Sequence, residues 1–162
     1  MIQEVSGDIV LSKASVVAHG VAPNDDHAVG LAHTLREYAP AMYKDFRHYC
    51  KTQHPKPGMM WVWAGADGRR IAALFTQEGA YHPGERPGRA SVSHVNHALH
   101  ALRQFLVREN VASIALPRLA TGTGGLDWHD VRPAIEKHLG DVASKVILYT
   151  TFHAGQPAAE KI

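Results

Sequence analysis

The sequence predicts an α/β layer protein built on one largely internal sheet of six strands. Three observations carry this. Short apolar runs alternate with helical patterns along the chain, and the runs are rich in β-branched, aromatic or aliphatic residues, several of them bounded by Gly, Pro or Asp. At 162 residues, 45% hydrophobic and 20% charged, the chain is long and apolar enough for one domain with a proper core. The strands are expected at residues 2–5, 15–18, 61–64, 71–75, 113–116 and 146–151. Helices are expected between them at 28–38, 41–52, 91–109 and 127–139. The third helix is the clearest: Val95, Ala98, Leu99, Leu102, Phe105 and Leu106 recur at steps of three and four, which turns one stripe to the sheet and leaves Arg103 and Arg108 in water. Ser91 stands where it can cap that helix. The domain is expected to span residues 1–153, with 154–162 as a frayed tail.

Composition narrows the function classes. The formal net charge is +2, and the basic residues are scattered along the sequence, so nucleic acid is not the implied partner. Cys50 is alone, which excludes an internal disulfide and paired zinc ligands and fits a reducing compartment. Glu4 and Asp8 stand where a secretory signal needs basic residues, and no apolar run reaches spanning length, so the expectation is a cytoplasmic protein with no membrane segment. His94, His97 and His100 lie three residues apart on one helix, each step a rotation of about 60°, so the outer two diverge. No metal and no cofactor are expected.

Three loops could carry chemistry. Residues 19–30 hold His19, Gly20, Asn24, Asp25, Asp26 and Gly30 between a strand and a helix, where carboxylates and backbone donors can meet a sugar; the plainer alternative is a solvated loop in which Asp25 or Asp26 caps the helix. Residues 77–91 form a loop too long for a connector. Residues 120–128 follow a strand with Gly122, Gly124 and Gly125 and lead into a helix, a pattern that lets backbone N–H groups converge on an anion. It is not a Walker loop, because no lysine occurs between Lys56 and Lys137, and Asp127 stands where a dinucleotide fingerprint wants Gly or Ala.

Taken together, VSGDI, VVAHGVAPNDDHAVGLA, LFTQ and LPRLATGTGGLDW resemble a macrodomain over nearly the whole chain, most like the branch of terminal ADP-ribose glycohydrolases and DNA ADP-ribosyl antitoxins. The resemblance implies a three-layer α/β/α sandwich with a mixed sheet of about six strands and ADP-ribose as the ligand. By position, it implies that Asp8 and Ile9 meet the adenine and that Phe152 stacks near it. It further implies that Thr121, Gly122, Thr123, Gly124, Gly125 and Leu126 wrap the diphosphate, and that His19, Gly20, Val21, Gly30 and Leu31 contact the distal ribose and phosphates.

The departures bear on activity. Thr76-Gln77 stands where that branch has a threonine followed by a catalytic lysine, Gly124 where it has a catalytic aspartate, Ala22 for a loop serine and Ala28 for a glycine. A covalent lysine route is therefore not expected. The expectation is an ADP-ribosyl hydrolase that removes mono-ADP-ribose from glutamate or aspartate esters of proteins, whose carboxylate leaving group needs little acid catalysis. Water would be positioned by Asp25 or Asp26, with Glu78 and His82 of the second loop as further candidates. A non-catalytic reader, or a phosphatase for ADP-ribose 1″-phosphate, fits the same pocket. The partners implied are ADP-ribose or an ADP-ribosylated protein, with nucleic acid only as an ADP-ribosylated substrate.

Overall fold

The computed structural model describes residues 2–79 and 87–162. In chain order the elements are β1 (Ile2–Gly7), β2 (Val16–Val21), α1 (Gly30–Tyr38), α2 (Pro40–Gln53), β3 (Met60–Ala64), β4 (Arg70–Phe75), α3 (Val92–Arg108), β5 (Ser113–Pro117), α4 (Trp128–Leu139) and β6 (Lys145–Phe152). All six expected strands and four expected helices are present. The strands form one sheet in the order β1-β6-β5-β2-β4-β3, parallel except for β3, which pairs antiparallel with β4 at the edge and makes the sheet mixed.

The core divides between the two faces of the sheet. Val16, Ala18, Ala72, Leu74 and Leu116 project to one face, where they meet the Val95–Leu99–Leu102–Leu106 stripe of α3 and Val131, Ile135 and Leu139 of α4. Ile71, Ala73 and Phe75 project to the other, against Leu35 of α1 and Met42, Phe46 and Cys50 of α2. The period-two alternation along β4 separates the two sets and yields a three-layer α/β/α sandwich. Ser91 caps α3 as expected, its Oγ accepting from the His94 N–H at 3.0 Å.

Three local readings need correction. His19, Gly20 and Val21 belong to β2, not to a loop: each pairs in register with Ala73, Leu74 or Phe75 of β4, and cross-strand pairing overrides the poor strand propensity of glycine. Helix α1 begins at Gly30 rather than Ala28 and has no side-chain cap. Asp26 turns its carboxylate to the Ala28 N–H instead (3.1 Å). Residues 154–162 are not frayed. The Asp8 N–H donates to the Gln156 carbonyl (2.8 Å), and the Glu160 carboxylate accepts from the Lys13 N–H (2.9 Å), the Ser12 hydroxyl (2.5 Å) and the Tyr149 hydroxyl (2.8 Å). These contacts join residues far apart in sequence, so no local pattern announces them. Among the described residues no helix is long and apolar enough to cross a membrane.

Candidate functional site

A crevice opens where β2 and β5 part. These neighbours pair only through Val16–Ile114 and Val17–Ala115, whereas β2 and β4 pair along six positions. Beyond that point the chain leaves β2 toward α1 and α2 on one face and leaves β5 toward α4 on the other. Divergence of this kind at the carboxyl ends of adjacent parallel strands is where open α/β sheets form ligand crevices. Two adjoining cavities of about 500 and 420 Å³ fill it and share Gly30, Leu31, Pro117, Tyr149 and Phe152.

One end is built for an anion. Thr121, Gly122, Thr123 and Gly124 line the larger cavity, and among the described residues their backbone N–H groups donate to no protein acceptor. The loop that presents them is closed by the Leu126 N–H on the Ala120 carbonyl (3.0 Å) and the Gly125 N–H on the Gly122 carbonyl (3.1 Å). Gly124 has no substitute in this conformation, because a Cβ there would lie 2.6 Å from the Ala120 oxygen. Across the cavity, Val29, Gly30, Leu31 and Ala32 bring in the uncapped N-terminus of α1, whose first-turn N–H groups and positive dipole end complement negative charge. Arg118 lines the same cavity, its guanidinium 5.4 Å from the Trp128 ring centroid.

The other end is apolar with a polar edge. The smaller cavity is bounded by Ile9, Val10, Leu31 and Phe152, with Asp8 and Thr34 beside them. Phe152 is 70% exposed, an unusual state for an aromatic ring and one that leaves its face free to stack. Asp8 is already partly committed: one carboxylate oxygen accepts from the Val10 N–H (3.2 Å) and the other from the Gly155 N–H (2.9 Å). A carboxylate has about four acceptor positions, so each oxygen keeps one.

The larger cavity also has a buried polar floor. His19 lines the larger cavity with 2% of its surface exposed, and neither ring nitrogen has a hydrogen-bond partner among the described residues. Burial pushes its pKa down to about 3, with the nearby His27 ring adding to the shift, so His19 is neutral at physiological pH. The His27 ring sits edge-on to His19 at 5.7 Å and to Phe46 at 4.6 Å, and burial lowers its pKa against the opposing pull of the Asp25 carboxylate. Thr76 packs against the backbone of Gly20, close enough that a Cβ on Gly20 would lie 2.9 Å from the unpartnered Thr76 Oγ1. Gln77, 3% exposed, lines the cavity and donates from Nε2 to the Gly88 carbonyl (3.0 Å). Asp25 lines it too, with Oδ2 accepting from the Ala22 N–H (3.1 Å) and Oδ1 from the His27 N–H (2.8 Å).

Of the residues expected from sequence, the crevice gathers Asp8, Ile9, His19, Gly20, Asp25, Gly30, Leu31, Thr121, Gly122, Thr123, Gly124 and Phe152. Val21 is fully buried behind it, and Gly125 and Leu126 follow the part of the loop that lines it. Asp26 and Glu78 do not line either cavity; Glu78 pairs with His94 Nε2 at 2.8 Å. His82 lies outside the described residues. Gln77, Arg118, Tyr149 and Thr150 line the crevice without having been singled out as site residues. Gln77, in the Leu-Phe-Thr-Gln element, and Arg118, in the Leu-Pro-Arg-Leu element, carried a local signal; Tyr149 and Thr150 did not. Cys50 is buried under α2 and its thiol is pushed up by burial, which leaves it a poor nucleophile.

No family model matches the chain. Among curated proteins it is 27% identical over 135 residues to a DNA ADP-ribosyl glycohydrolase of Mycobacterium tuberculosis, covering 81% of this chain and 36% of that protein. The chain thus spans little more than a third of that relative's length. Among solved structures it is similar to the macrodomain of Thermus aquaticus DarG, with a TM-score of 0.79 at 23% identity over 93% of this chain and 98% of that one. It is also similar to Thermosipho africanus DarTG in complex with ADP-ribose, with a TM-score of 0.78 at 19% identity over 96% of this chain and 42% of that one.

Proposed function

We propose that this chain, whose fold is that of the macrodomains, binds ADP-ribose in the crevice between β2 and β5 and hydrolyses the bond joining it to a modified macromolecule. One observation carries the reading. Two sets of backbone N–H groups without a partner among the described residues, from residues 121–124 and from the first turn of α1, face a common cavity whose neighbour is apolar and edged by a carboxylate. That is the polarity sequence of a nucleoside diphosphate: adenine against Ile9 and Phe152 with its exocyclic amine on Asp8, the diphosphate on the backbone groups. The distal ribose then lies over Gly20 and Gln77, with the neutral, buried His19 ring beneath.

No lysine lines either cavity, so hydrolysis proceeds by direct attack of water on the anomeric carbon. The C1″–oxygen bond breaks with its electron pair going to the leaving group, and the water proton passes to a loop carboxylate, Asp25, whose oxygens each retain an acceptor position. A protein carboxylate ester suits this chemistry, because its leaving group needs no proton. The printed name of the mycobacterial relative supports a second acceptor, DNA. A pure reader is the competing reading, favoured by the commitment of both Asp25 oxygens to backbone N–H groups.

The discriminating experiment offers glutamate-linked ADP-ribosylated protein and ADP-ribosylated single-stranded DNA separately and follows free ADP-ribose. Calorimetry with ADP-ribose runs alongside. Release from either substrate, reduced on the order of 100-fold or more in Asp25→Ala, supports the hydrolase and identifies its acceptor. Tight ADP-ribose binding with no release above buffer makes the protein a reader.

A further inference from the structure

The basic residues of α2 look dispersed in sequence, but the helix collects them. At about 100° per residue, Lys44, Arg47, His48 and Lys51 fall in one sector of α2, turned away from the buried Met42, Phe46 and Cys50. All four are exposed, as are His54 and Lys56 just beyond the helix. No acidic residue occurs between Asp45 and Asp67, and Asp45 is held by the Trp63 Nε1 at 2.9 Å. Among the described residues, Lys44, Arg47, Lys51 and Lys56 form no salt bridge, while Arg70, Arg103 and Arg132 do.

Two further cavities, about 520 and 390 Å³, open on this side. Arg47, His48 and Lys51 line the larger, Lys56 lines the smaller, and Asn24 and His54 border both. Asn24 is the immediate neighbour of Asp25, which lines the β2–β5 crevice, so the cationic face and the crevice meet across a single peptide bond of the loop after β2. They meet at the end of the crevice assigned to the distal ribose, the sugar through which ADP-ribose is attached to its acceptor.

We propose that this α2 face binds the phosphodiester backbone of a nucleic-acid strand while the strand's ADP-ribosylated nucleotide occupies the crevice. The second clause of this inference rests on the ADP-ribose reading of the crevice; the first does not. A polyanion is the partner that fits. Specific protein interfaces centre on large apolar or aromatic residues, and the exposed sector of α2 offers only Pro40 and Ala41 beside its cations. A row of cations that form no salt bridge among the described residues, with Asp45 beside them held by Trp63, instead gains affinity by displacing counterions from phosphates.

The test separates the face from the crevice. Anisotropy of a labelled, unmodified single-stranded oligonucleotide of about 20 nucleotides is followed from roughly 50 to 200 mM salt, with the intact chain and with Lys44→Glu/Arg47→Glu/Lys51→Glu. Binding by the parent should weaken steeply with salt. The triple variant should lose on the order of tenfold or more in affinity, and its slope of log K against log salt should shrink by about 2, since each lost single-strand phosphate contact removes about 0.7. ADP-ribose affinity should be the same in both proteins. Equal oligonucleotide binding by parent and variant, or none by the parent, overturns the proposal. So does equal competition by polyglutamate of matching charge, which would make the face a site for acidic protein. Loss of ADP-ribose binding in both proteins with the oligonucleotide result intact refutes the crevice reading and leaves the face standing. Should the triple variant fail to fold by circular dichroism, the three single reversals read the same slope in smaller steps.

Discussion

Lowering the pH from 7.5 to 5 should weaken the fold by about 2 kcal/mol through His19 alone. The folded chain does not protonate this ring until about pH 3, whereas the unfolded chain does so near the ordinary value of 6.5. Between those values the unfolded state binds the extra proton, so stability is complete above about pH 6.5 and falls with pH, by about 1.4 kcal/mol per unit, until the lower value is reached. The cause is geometric: the ring lies under the crevice beside His27, with no acceptor for an added N–H among the described residues. His27 shifts in the same direction and steepens the acid limb. The assay is urea unfolding at intervals between pH 5 and 7.5, a window in which most carboxylates stay ionised. His19→Gln keeps a polar group at the site but cannot titrate, so its stability curve should be shallower by about one proton. A parent curve that is flat over this window, or parallel curves for parent and variant, would refute the reasoning.

Gly124→Ala should distort the 120–126 loop, since the added Cβ meets the Ala120 oxygen at 2.6 Å, and calorimetry should show ADP-ribose affinity falling on the order of tenfold. Phe152→Ala should leave thermal stability nearly unchanged, because the ring is mostly exposed, yet weaken ADP-ribose by about 1–3 kcal/mol, roughly 5- to 150-fold, if adenine stacks there. Unaltered affinity would remove Phe152 from the adenine site. Glu160→Ala should destabilise the fold by about 1–3 kcal/mol, because it strands the largely buried Tyr149 hydroxyl and the Ser12 hydroxyl; a variant melting with the parent would return residues 154–162 to a frayed tail.

How much of the site was legible depended on the kind of signal each part carries. The 120–128 loop was readable because glycines crowded between a strand and a helix have few other uses. The exposed aromatic after β6 and the carboxylate after β1 became meaningful only through the resemblance, since either alone is an ordinary strand-end residue. Backbone donors leave no trace in a sequence, and the uncapped start of α1 was hidden behind two aspartates that looked like its caps. Asp25 and Asp26 instead fold their carboxylates onto the loop's own N–H groups.

The sequence by itself determined the six strands, the four helices and the glycine loop, because these follow from periodicity and backbone preference over a few residues. Tertiary structure decided the rest. Sheet order set β2 beside β5 and let them part, pairing with β4 drew His19 and Gly20 into a strand, and long-range hydrogen bonds fastened the last residues to β6 and to the segment after β1. The same holds for charge: Lys44, Arg47, His48 and Lys51 become one surface only when the helix turns them together and the fold sets that surface beside the crevice.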